Sequence, residues 1–292
     1  MIDYQTKEEV LIEALPYIQT YEGKTFVIKY GGSAMTEELL KETFAKDVTI
    51  LRKIGINIVI VHGGGKEITG TAAKLGIETR FVDGQRYTDD GMMKVVMMVL
   101  AGKLNKEIVG LINTNGGNAV GLCGADNTLL RAQKSSLNGV DLGLVGTVTS
   151  VNSTFLNLLL NNGMMPVIAP VGLGEKGELY NINADLAAGS IAIALKAEKL
   201  VYLSDIEGIV VNNKRVSTLT KSTSGALIGE GHIFGGMIPK VRSAFETLDA
   251  GVNKVHIIDG RVKHSLLLEI FTDEGIGTQM IHDDADPTAV PR

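Results

Sequence analysis

A lysine beside two glycines is the first pattern in this sequence that could act on a phosphate group. Lys29 follows the apolar residues 25–28 and precedes Gly31 and Gly32. The apolar run predicts a strand, and α/β sheets bind ligands at the carboxyl ends of their strands. The glycine N–H groups could face an anion, and the lysine could neutralise the charge of a transferred phosphoryl group. On this spacing alone, a solvent-exposed lysine above an ordinary turn is an equally good explanation.

A second lysine, Lys240, stands in a comparable place near the other end of the chain. It follows Pro239, and proline is typical of the first turn of a helix. Lys240 would then lie at the positive N-terminal end of that helix, which is unfavourable unless an anion compensates its charge. The segment therefore points to a phosphate site, with a surface lysine as the alternative.

Three successive glycines after the predicted strand 56–61 could hold a substrate carboxylate. The loop His62–Lys66 would let a helix N-terminus approach an anion with bare backbone. It is not a Walker A loop, because the chain contains no G-x-x-x-x-G-K-[ST] sequence. It is not a dinucleotide fingerprint either, because Ile68 stands where the third glycine would fall. We interpret His62 as a strand-end histidine bonded to backbone rather than as a metal ligand.

Four polar side chains next to predicted helices could orient a substrate. Arg86 could clamp a carboxylate with two parallel hydrogen bonds, although a solvated loop arginine is the commoner case. Asn181 and Asn183 would face the same side of an extended strand and can both donate and accept. Asp185 could accept from two lysines and hold them in place, or it could cap the helix 184–195.

Strands, glycine loops and helices alternate along most of the chain, which predicts an α/β fold with a mostly parallel sheet. Two β-hairpins are expected, one over residues 128–150 and one around Gly172, Gly174 and Gly177. The topology also suggests a lobe boundary near residues 195–198. The expected strands cover residues 25–28, 56–61, 119–122, 165–169, 199–203 and 254–258, and the expected helices cover residues 7–20, 36–54, 66–75, 89–114, 153–162, 184–195 and 239–250.

The composition argues against several functional classes. The chain has 292 residues with 28 basic and 33 acidic side chains, and its net charge of -5 offers no field for nucleic acid or anionic membrane. Cys123 is the single cysteine, so no internal disulfide can form, which fits a reducing compartment. We expect no signal peptide, no membrane span of ~18 apolar residues and no metal site, because the histidines lack ligand spacing. These features indicate a cytoplasmic protein.

Eight blocks of sequence, taken in order, resemble the acetylglutamate kinases of the amino acid kinase family. The resemblance extends from about residue 8 to residue 281. It implies an αβα sandwich around a mostly parallel central sheet of about eight strands. It further implies an N-terminal oligomerisation helix (residues 1–22), a lobe for N-acetyl-L-glutamate and dimerisation (23–196), and an ATP-binding lobe (197–292). The blocks are VIKYGGSAM, VHGGGKEI, DGQRYTDD, LAGKLNKEIV, NINADLAAG, LSDIEGI, GGMIPKV and HIIDGR.

The same resemblance implies a role for each candidate site residue. Two lysines would stabilise the transition state and one aspartate would organise them: Lys29, Lys240 and Asp185. The residues in contact with ATP would be Gly31, Gly32, Ser204 and Asp205, and the adenine contacts stay unassigned. The residues in contact with N-acetylglutamate would be Gly64, Gly65, Arg86 and Asn181, to which we add Asn183 because it shares a strand face with Asn181.

The implied reaction is in-line transfer from ATP, with the Mg²⁺ that ATP carries, to the γ-carboxylate of N-acetyl-L-glutamate. That carboxylate, with a pKa of about 4.3, is already ionised at neutral pH and needs no general base. Free glutamate, aspartate or carbamate are alternative acceptors, but DGQRYT and NINAD favour the acetylated one. The missing third glycine argues against a nicotinamide dehydrogenase. The joint presence of Lys29, Asp185 and Lys240 argues against a catalytically silent metabolite sensor.

The chain termini resemble those of arginine-inhibited members, whose N-terminal helices interlace three dimers into a hexameric ring. The segment LIEALPYIQ carries the resemblance at the N-terminus, where an apolar face would seek a partner or pack on its own lobe. That face comprises Val10, Leu11, Leu15 and Ile18. Near the C-terminus the resemblance covers residues 269–278. We therefore expect a homo-hexamer inhibited by L-arginine, with regulatory contacts from Tyr17, Glu269, Glu274, Gly275 and Gly277.

Overall fold

Eight strands form the central sheet of the computed structural model, which describes residues 4–82, 84–137, 139–235 and 237–285. Every neighbouring pair in this sheet is parallel except β15 and β16, so the expected mostly parallel sheet of about eight strands is confirmed. In spatial order the strands are β14 (Thr218–Leu219), β16 (Thr278–Met280), β15 (Lys254–Asp259), β11 (Lys199–Ser204), β1 (Thr25–Tyr30), β2 (Asn57–His62), β8 (Met165–Ala169) and β5 (Ala119–Cys123).

Helices cover both faces of this sheet. α4 and α5 are joined by a π-helical turn, Met97–Leu104, so the single helix expected over 89–114 is continuous in the structure. Helices α8 and α10 were not expected from the sequence. The helices are α1 (Tyr4–Tyr21), α2 (Glu38–Lys53), α3 (Gly65–Lys74), α4 (Asp90–Val96), α5 (Asn105–Thr114), α6 (Ser153–Asn161), α7 (Ala184–Leu195), α8 (Lys221–Gly229), α9 (Met237–Asp249) and α10 (Ser265–Ile270).

The central strands bury both of their faces. In β1, Phe26 and Ile28 enter the core beneath α2 and α5, while Val27 enters the opposite core beneath α6, α7 and α9. Adjacent residues of a strand point to opposite faces, so a strand covered on both sides must be apolar without interruption. This is why six strands of the central sheet could be located as continuous apolar runs, whereas the short edge strands β14 and β16 were not expected. The two covered faces confirm the αβα sandwich.

Both expected hairpins are present, and they meet in a way that the sequence did not indicate. Their strands close into a small four-stranded barrel, in which β10 pairs with β7 and β6 pairs with β9. Two shorter pairs, β3–β4 and β12–β13, were also unexpected. The remaining strands are β3 (Phe81–Val82), β4 (Gln85–Arg86), β6 (Leu130–Leu137), β7 (Val140–Val151), β9 (Val171–Leu173), β10 (Leu179–Ile182), β12 (Val210–Val211) and β13 (Lys214–Arg215).

The N-terminal helix is confirmed, and it contacts its own chain through tyrosines. Tyr17 meets the ring of Phe271 edge-on at 6.0 Å, and Tyr21 meets Phe26 at 5.2 Å. On the expected apolar face, Leu15 is 50% exposed and Ile18 is half-buried, while the side chains of Val10 and Leu11 lie outside the described residues. The oligomerisation role of residues 1–22 and the lobe boundary at 196/197 stay predictions. Across the described ranges, no helix is both long enough and apolar enough to cross a bilayer.

Two leucines of α6 provide a matched test of core packing. Leu156 is completely buried, whereas Leu158, two residues later in the same helix, is 59% exposed. We predict that Leu156→Ala lowers the free energy of unfolding by about 2–5 kcal/mol, because it leaves a cavity, whereas Leu158→Ala changes it by less than about 1 kcal/mol. Urea denaturation of the two variants measures this difference, and equal losses would contradict the assigned packing of α6.

Candidate active site

One carboxylate lies between the two candidate lysines. Asp185 is the second residue of α7, and its Oδ1 lies 3.1 Å from the Nζ of Lys29, near the end of β1. Its Oδ2 accepts a hydrogen bond of 3.0 Å from the Nζ of Lys240, in the first turn of α9. The carboxylate therefore supplies the anion that a cation at this helix N-terminus requires. The structure brings these three predicted residues together.

The charges around Asp185 decide its protonation. Burial alone would raise the pKa of this carboxyl, but the positive charges of Lys29 and Lys240 outweigh burial and hold the pKa below its usual value. The Nζ of Lys240 also lies 5.3 Å above the ring of Tyr202, whose negative face favours a cation. The cluster is thus an ionised carboxylate holding two ammonium groups close to one point.

The loop after β1 is shaped for close approach. A Cβ at Gly31 would lie 2.6 Å from the Nζ of Lys29, so a side chain there would displace the lysine. Gly32 has a φ of +69°, in the left-handed region that glycine adopts without strain. The next N–H group, that of Ser33, donates to Oδ1 of Asp205 at 2.5 Å. Asp205 directly follows Ser204, the last residue of β11, so this loop already binds an anionic group.

The glycines that follow β2, the strand next to β1, line a cavity of about 240 Å³. Arg86 donates from Nη2 to the carbonyl of Gly65 at 2.9 Å and to Thr69 at 3.0 Å. Burial lowers the pKa of this guanidinium without removing its charge. Predicted residues that line the cavity are Gly64, Gly65, Arg86, Asn181 and Asn183. Val145 of the small barrel and Leu100 of the π-helical turn complete the cavity, and neither was predicted from the sequence.

The two asparagines have different tasks. Asn181 lies in β10 and donates to the hydroxyl of Thr88 at 3.1 Å. Asn183 caps α7, because its Oδ1 accepts from the N–H groups of Asp185 at 2.8 Å and Leu186 at 3.3 Å. The alternative that Asp185 caps this helix is therefore wrong. An amide cap leaves the carboxylate two residues later free to bind the lysines.

A separate cavity of about 490 Å³ is lined by Asp205 and by Met237, which lies in the same first turn of α9 as Lys240. It contains the loop 206–210 and an aromatic side chain, Phe234, that is 74% exposed. Exposed aromatic rings beside a cavity are typical of ligand sites. His232, Phe234 and Arg261 were missed from the sequence, because they come from distant segments and only the glycine-rich stretch 229–236 marked the region.

Four of the five residues expected to bind arginine have hydrogen-bond partners within the chain. Glu269 is buried and accepts hydrogen bonds from Nδ1 of His256 at 2.7 Å and from the Gly277 N–H at 2.8 Å. The hydroxyl of Tyr17 donates to Asp273. Glu274 is exposed, and the carbonyl of Gly275 accepts from the guanidinium of Arg215 at 2.9 Å. The role of these residues stays a prediction.

Metal ligands are not grouped in the part of the chain that the structure describes. No three residues among its histidines, cysteines, aspartates and glutamates are placed to hold an ion. His62, at the end of β2, bonds through Nδ1 to the carbonyl of Gly63 at 2.9 Å, which confirms its interpretation as a strand-end histidine.

Comparison with known proteins assigns this arrangement to a family. The profile of the amino acid kinase family matches residues 24–259. An acetylglutamate kinase of Chlorobaculum tepidum is 57% identical over 281 residues, which make up 96% of this chain and 98% of that protein.

Solved structures give a second comparison. The N-acetylglutamate synthase of Neisseria gonorrhoeae, complexed with coenzyme A and N-acetyl-glutamate, superposes with a TM-score of 0.86 and 27% identity over 98% of this chain. The same synthase complexed with coenzyme A and L-arginine gives a TM-score of 0.80 and 26% identity over 96% of this chain. The chain spans 65% and 66% of the length of those two synthase chains.

The lowered pKa of Asp185 makes a prediction about stability. A carboxylate whose pKa is depressed in the folded state contributes stability above its unfolded pKa, near 3.9, and loses that contribution as the pH falls through the folded value. We therefore predict that Asp185→Asn lowers the free energy of unfolding by about 2–3 kcal/mol at neutral pH, the scale for hydrogen bonds between charged groups.

The pH dependence distinguishes this charge effect from a packing effect. The stability difference between wild type and Asp185→Asn should shrink as the pH falls below about 4, because the unfolded carboxylate then takes up a proton while the native one, with its lowered pKa, is still ionised. Chemical denaturation at several pH values measures it. A difference that stays constant down to the acid limit of folding would contradict the ionised state of Asp185.

Proposed function

Because this chain belongs to the amino acid kinase family and is an enzyme of the acetylglutamate kinase type, we propose that it phosphorylates the γ-carboxylate of N-acetyl-L-glutamate with ATP, in arginine biosynthesis. The observation that carries the proposal is the Lys29–Asp185–Lys240 cluster. Ala184, which precedes Asp185, lines one cavity, and Met237, in the same first turn of α9 as Lys240, lines another. One cavity suits a small acid and the other a nucleotide, so the two reactants would meet at the lysines.

The acid would bind in the cavity after β2. Its volume, about 240 Å³, suits a small acylated amino acid. Arg86 holds the glycine loop through the Gly65 carbonyl, and a guanidinium has five N–H donors, so others are left for a substrate carboxylate. The first N–H groups of α3 have no partner within the helix and can bind the same anion. Asn181, on the opposite side, would bind a polar group of the substrate.

ATP would bind on the side of Asp205, with its Mg²⁺ arriving as part of the substrate. The Ser33 N–H that now donates to Asp205 would donate to a phosphate oxygen instead, together with the N–H groups of Gly31 and Gly32. The cavity of about 490 Å³, with Phe234 beside it, would hold the adenine of ATP. Ser204, at the end of β11, places the following loop against the phosphates.

The reaction needs no general base, because the acceptor carboxylate is ionised at neutral pH. Its oxygen attacks the γ-phosphorus in line, the bond to the β-phosphate oxygen breaks, and ADP leaves. Lys29 and Lys240 would neutralise the charge that spreads over the transferred group, and Asp185 would keep both ammonium groups aimed at it. The products are N-acetyl-L-glutamyl 5-phosphate and ADP.

This proposal predicts how the lysine variants behave. Lys29→Ala and Lys240→Ala should each lower kcat by about 10²- to 10³-fold, the scale for removing one preorganised donor. Arg86→Ala should act mainly on the KM for N-acetyl-L-glutamate. The measurement traps the acyl phosphate with hydroxylamine as a hydroxamate, and Lys74→Ala, which replaces an exposed lysine of α3, is the matched control.

Two outcomes separate the parts of the proposal. Wild-type protein that forms no hydroxamate with N-acetyl-L-glutamate and MgATP would overturn the proposed reaction. Near-normal kcat in either lysine variant would overturn the role of that lysine alone.

We further propose that L-arginine inhibits the enzyme, as a homo-hexamer built from three dimers in the cytoplasm. Support comes from the contact of α1 with the candidate regulatory segment, where Tyr17 packs on Phe271 and donates to Asp273. The related synthase complexed with L-arginine has a similar fold. Arginine would favour an arrangement of the lobes that binds substrate poorly, which is a shift between two states.

Regulation can be tested without disturbing catalysis. Deletion of residues 1–22 should leave active dimers that ignore arginine, because it removes α1 but none of the lysine cluster. Tyr17→Phe, which removes only the hydroxyl that bonds Asp273, should raise the half-inhibiting arginine concentration by about 3- to 10-fold, the range of a single hydrogen bond. Full-length protein that sedimented as a dimer, or that ignored millimolar arginine, would contradict the regulatory proposal and leave the kinase proposal intact.

A further inference from the structure

A buried chain of hydrogen bonds ends on the glycine loop of the candidate acid site. Lys106 donates from Nζ to Oδ1 of Asn105 at 3.0 Å, and Nδ2 of Asn105 lies 3.3 Å from Nε2 of His62. Nδ1 of His62 in turn lies 2.9 Å from the carbonyl oxygen of Gly63. Asn105 and His62 are both buried, and neither lies among the residues that line the acid cavity.

From these hydrogen bonds we propose that His62, oriented by Asn105, is a positioning residue that aims the Gly64 N–H group at the carboxylate of the substrate. The inference rests on the proposed function for the identity of that substrate. It deepens the proposal by assigning a task to two buried polar residues that do not touch the reactants.

The hydrogen bonds define a single tautomer of His62. A carbonyl oxygen can only accept, so the bond to Gly63 places the proton on Nδ1. Nε2 is then bare and accepts from Asn105. The orientation of the Asn105 amide agrees, because every neighbour of its Nδ2 is an acceptor and its Oδ1 accepts from the Lys106 ammonium. The two hydrogens of Nδ2 are shared among Nε2 of His62 and the carbonyls of Leu122 at 3.2 Å and Val167 at 2.8 Å.

The surroundings keep the ring neutral. Burial lowers the pKa of His62 to about 4; the bond to the Gly63 carbonyl opposes this shift, and the nearby positive charge of Lys106 adds to it. At neutral pH the proton on Nδ1 therefore stays in place, and Nε2 remains an acceptor. His62 is held as a fixed donor rather than as an acid or base.

Because the peptide is planar, the hydrogen bond between His62 and the Gly63 carbonyl also sets the direction of the Gly64 N–H group. The Gly63–Gly64 peptide is trans, so its C=O and N–H groups point in opposite directions. Holding the carbonyl against the buried imidazole directs the Gly64 N–H away from the core, toward the cavity that Gly64 lines. A hydrogen bond to the carbonyl also polarises the peptide and strengthens its N–H as a donor.

Packing holds the same peptide from the side. A Cβ at Gly64 would lie 2.5 Å from Leu104 and 2.6 Å from Leu100, both in the π-helical turn. Asn105 is the residue that directly follows this turn. One irregular stretch of helix therefore supplies both the contacts that press on Gly64 and the amide that orients His62, as is common for π-turns at functional sites.

Two substitutions of His62 each keep one of its two hydrogen bonds and remove the other. In His62→Asn the amide nitrogen can take the place of Nδ1 and still donate to Gly63, but it cannot reach Asn105. In His62→Gln the amide can reach Asn105 but not the Gly63 carbonyl. We expect the asparagine variant to keep the KM for N-acetyl-L-glutamate within about threefold and the glutamine variant to raise it about tenfold or more, with the KM for ATP little changed in both.

The ranking of these variants decides the inference. If His62 merely filled the core, glutamine would be the better replacement, because it is closer in size and keeps the Asn105 bond. A glutamine variant whose KM for the acid is equal to or lower than that of the asparagine variant would overturn the positioning role.

A spectroscopic measurement on the wild-type protein needs neither variant nor activity. Nitrogen NMR of ¹⁵N-labelled histidine should show His62 as the Nδ1–H tautomer, with no titration between about pH 5.5 and 8. An Nε2–H tautomer, or a ring that titrates in this range, would overturn the inference. Failure of the proposed reaction would instead appear as missing hydroxamate in wild type, whatever the tautomer.

Discussion

The attraction of two lysines to one carboxylate is the constraint on which the site depends. Lys29 and Lys240 would repel each other, and Asp185 brings both within 3.1 Å of its oxygens. Their ion pairs are partly buried, so water screens them less than it would screen surface pairs. The end of β1 and the N-termini of α7 and α9 must therefore converge on one point. The order of strands, with β1 between β11 and β2, is what lets them do so.

The parallel sheet supplies this convergence, because strands that run together end at the same edge. Lys29, His62 and Ser204 lie at or next to the ends of three neighbouring strands, and in the proposed reaction the loop after each of them would face one reactant. The loops also touch each other: the Gly63 N–H donates to the Tyr30 carbonyl at 2.8 Å. Movement of one loop would therefore shift the other, and this hydrogen bond would couple the proposed acid site to the proposed phosphate site.

Much of this arrangement could be predicted from sequence, and what could not has a common physical cause. Buried strands carry continuous apolar runs and many helices carry a periodic apolar face. Met165–Ala169 and Ala184–Leu195 therefore have the expected bounds. Closure of the small barrel, the short strands and α10 depend on contacts between distant segments, which leave no local pattern. The local sequence left open whether Asp185 caps α7, because asparagine and aspartate are both good caps, and only the structure shows that Asn183 does so. Phe234 and Arg261 were not predicted as cavity residues for the same reason, because they come from segments that are distant in sequence.

The contact between Asp205 and the first glycine loop suggests how that loop keeps its shape without nucleotide. Successive N–H groups aimed at one point favour an anion, and leaving them unpaired in a half-buried place would cost about 1–3 kcal/mol each. The carboxylate of Asp205 satisfies one such group, that of Ser33. Binding of a phosphate would then exchange one anion for another with more acceptor oxygens, so the loop need not be ordered at that moment. A site prepared in this way gives up little conformational entropy when ATP binds.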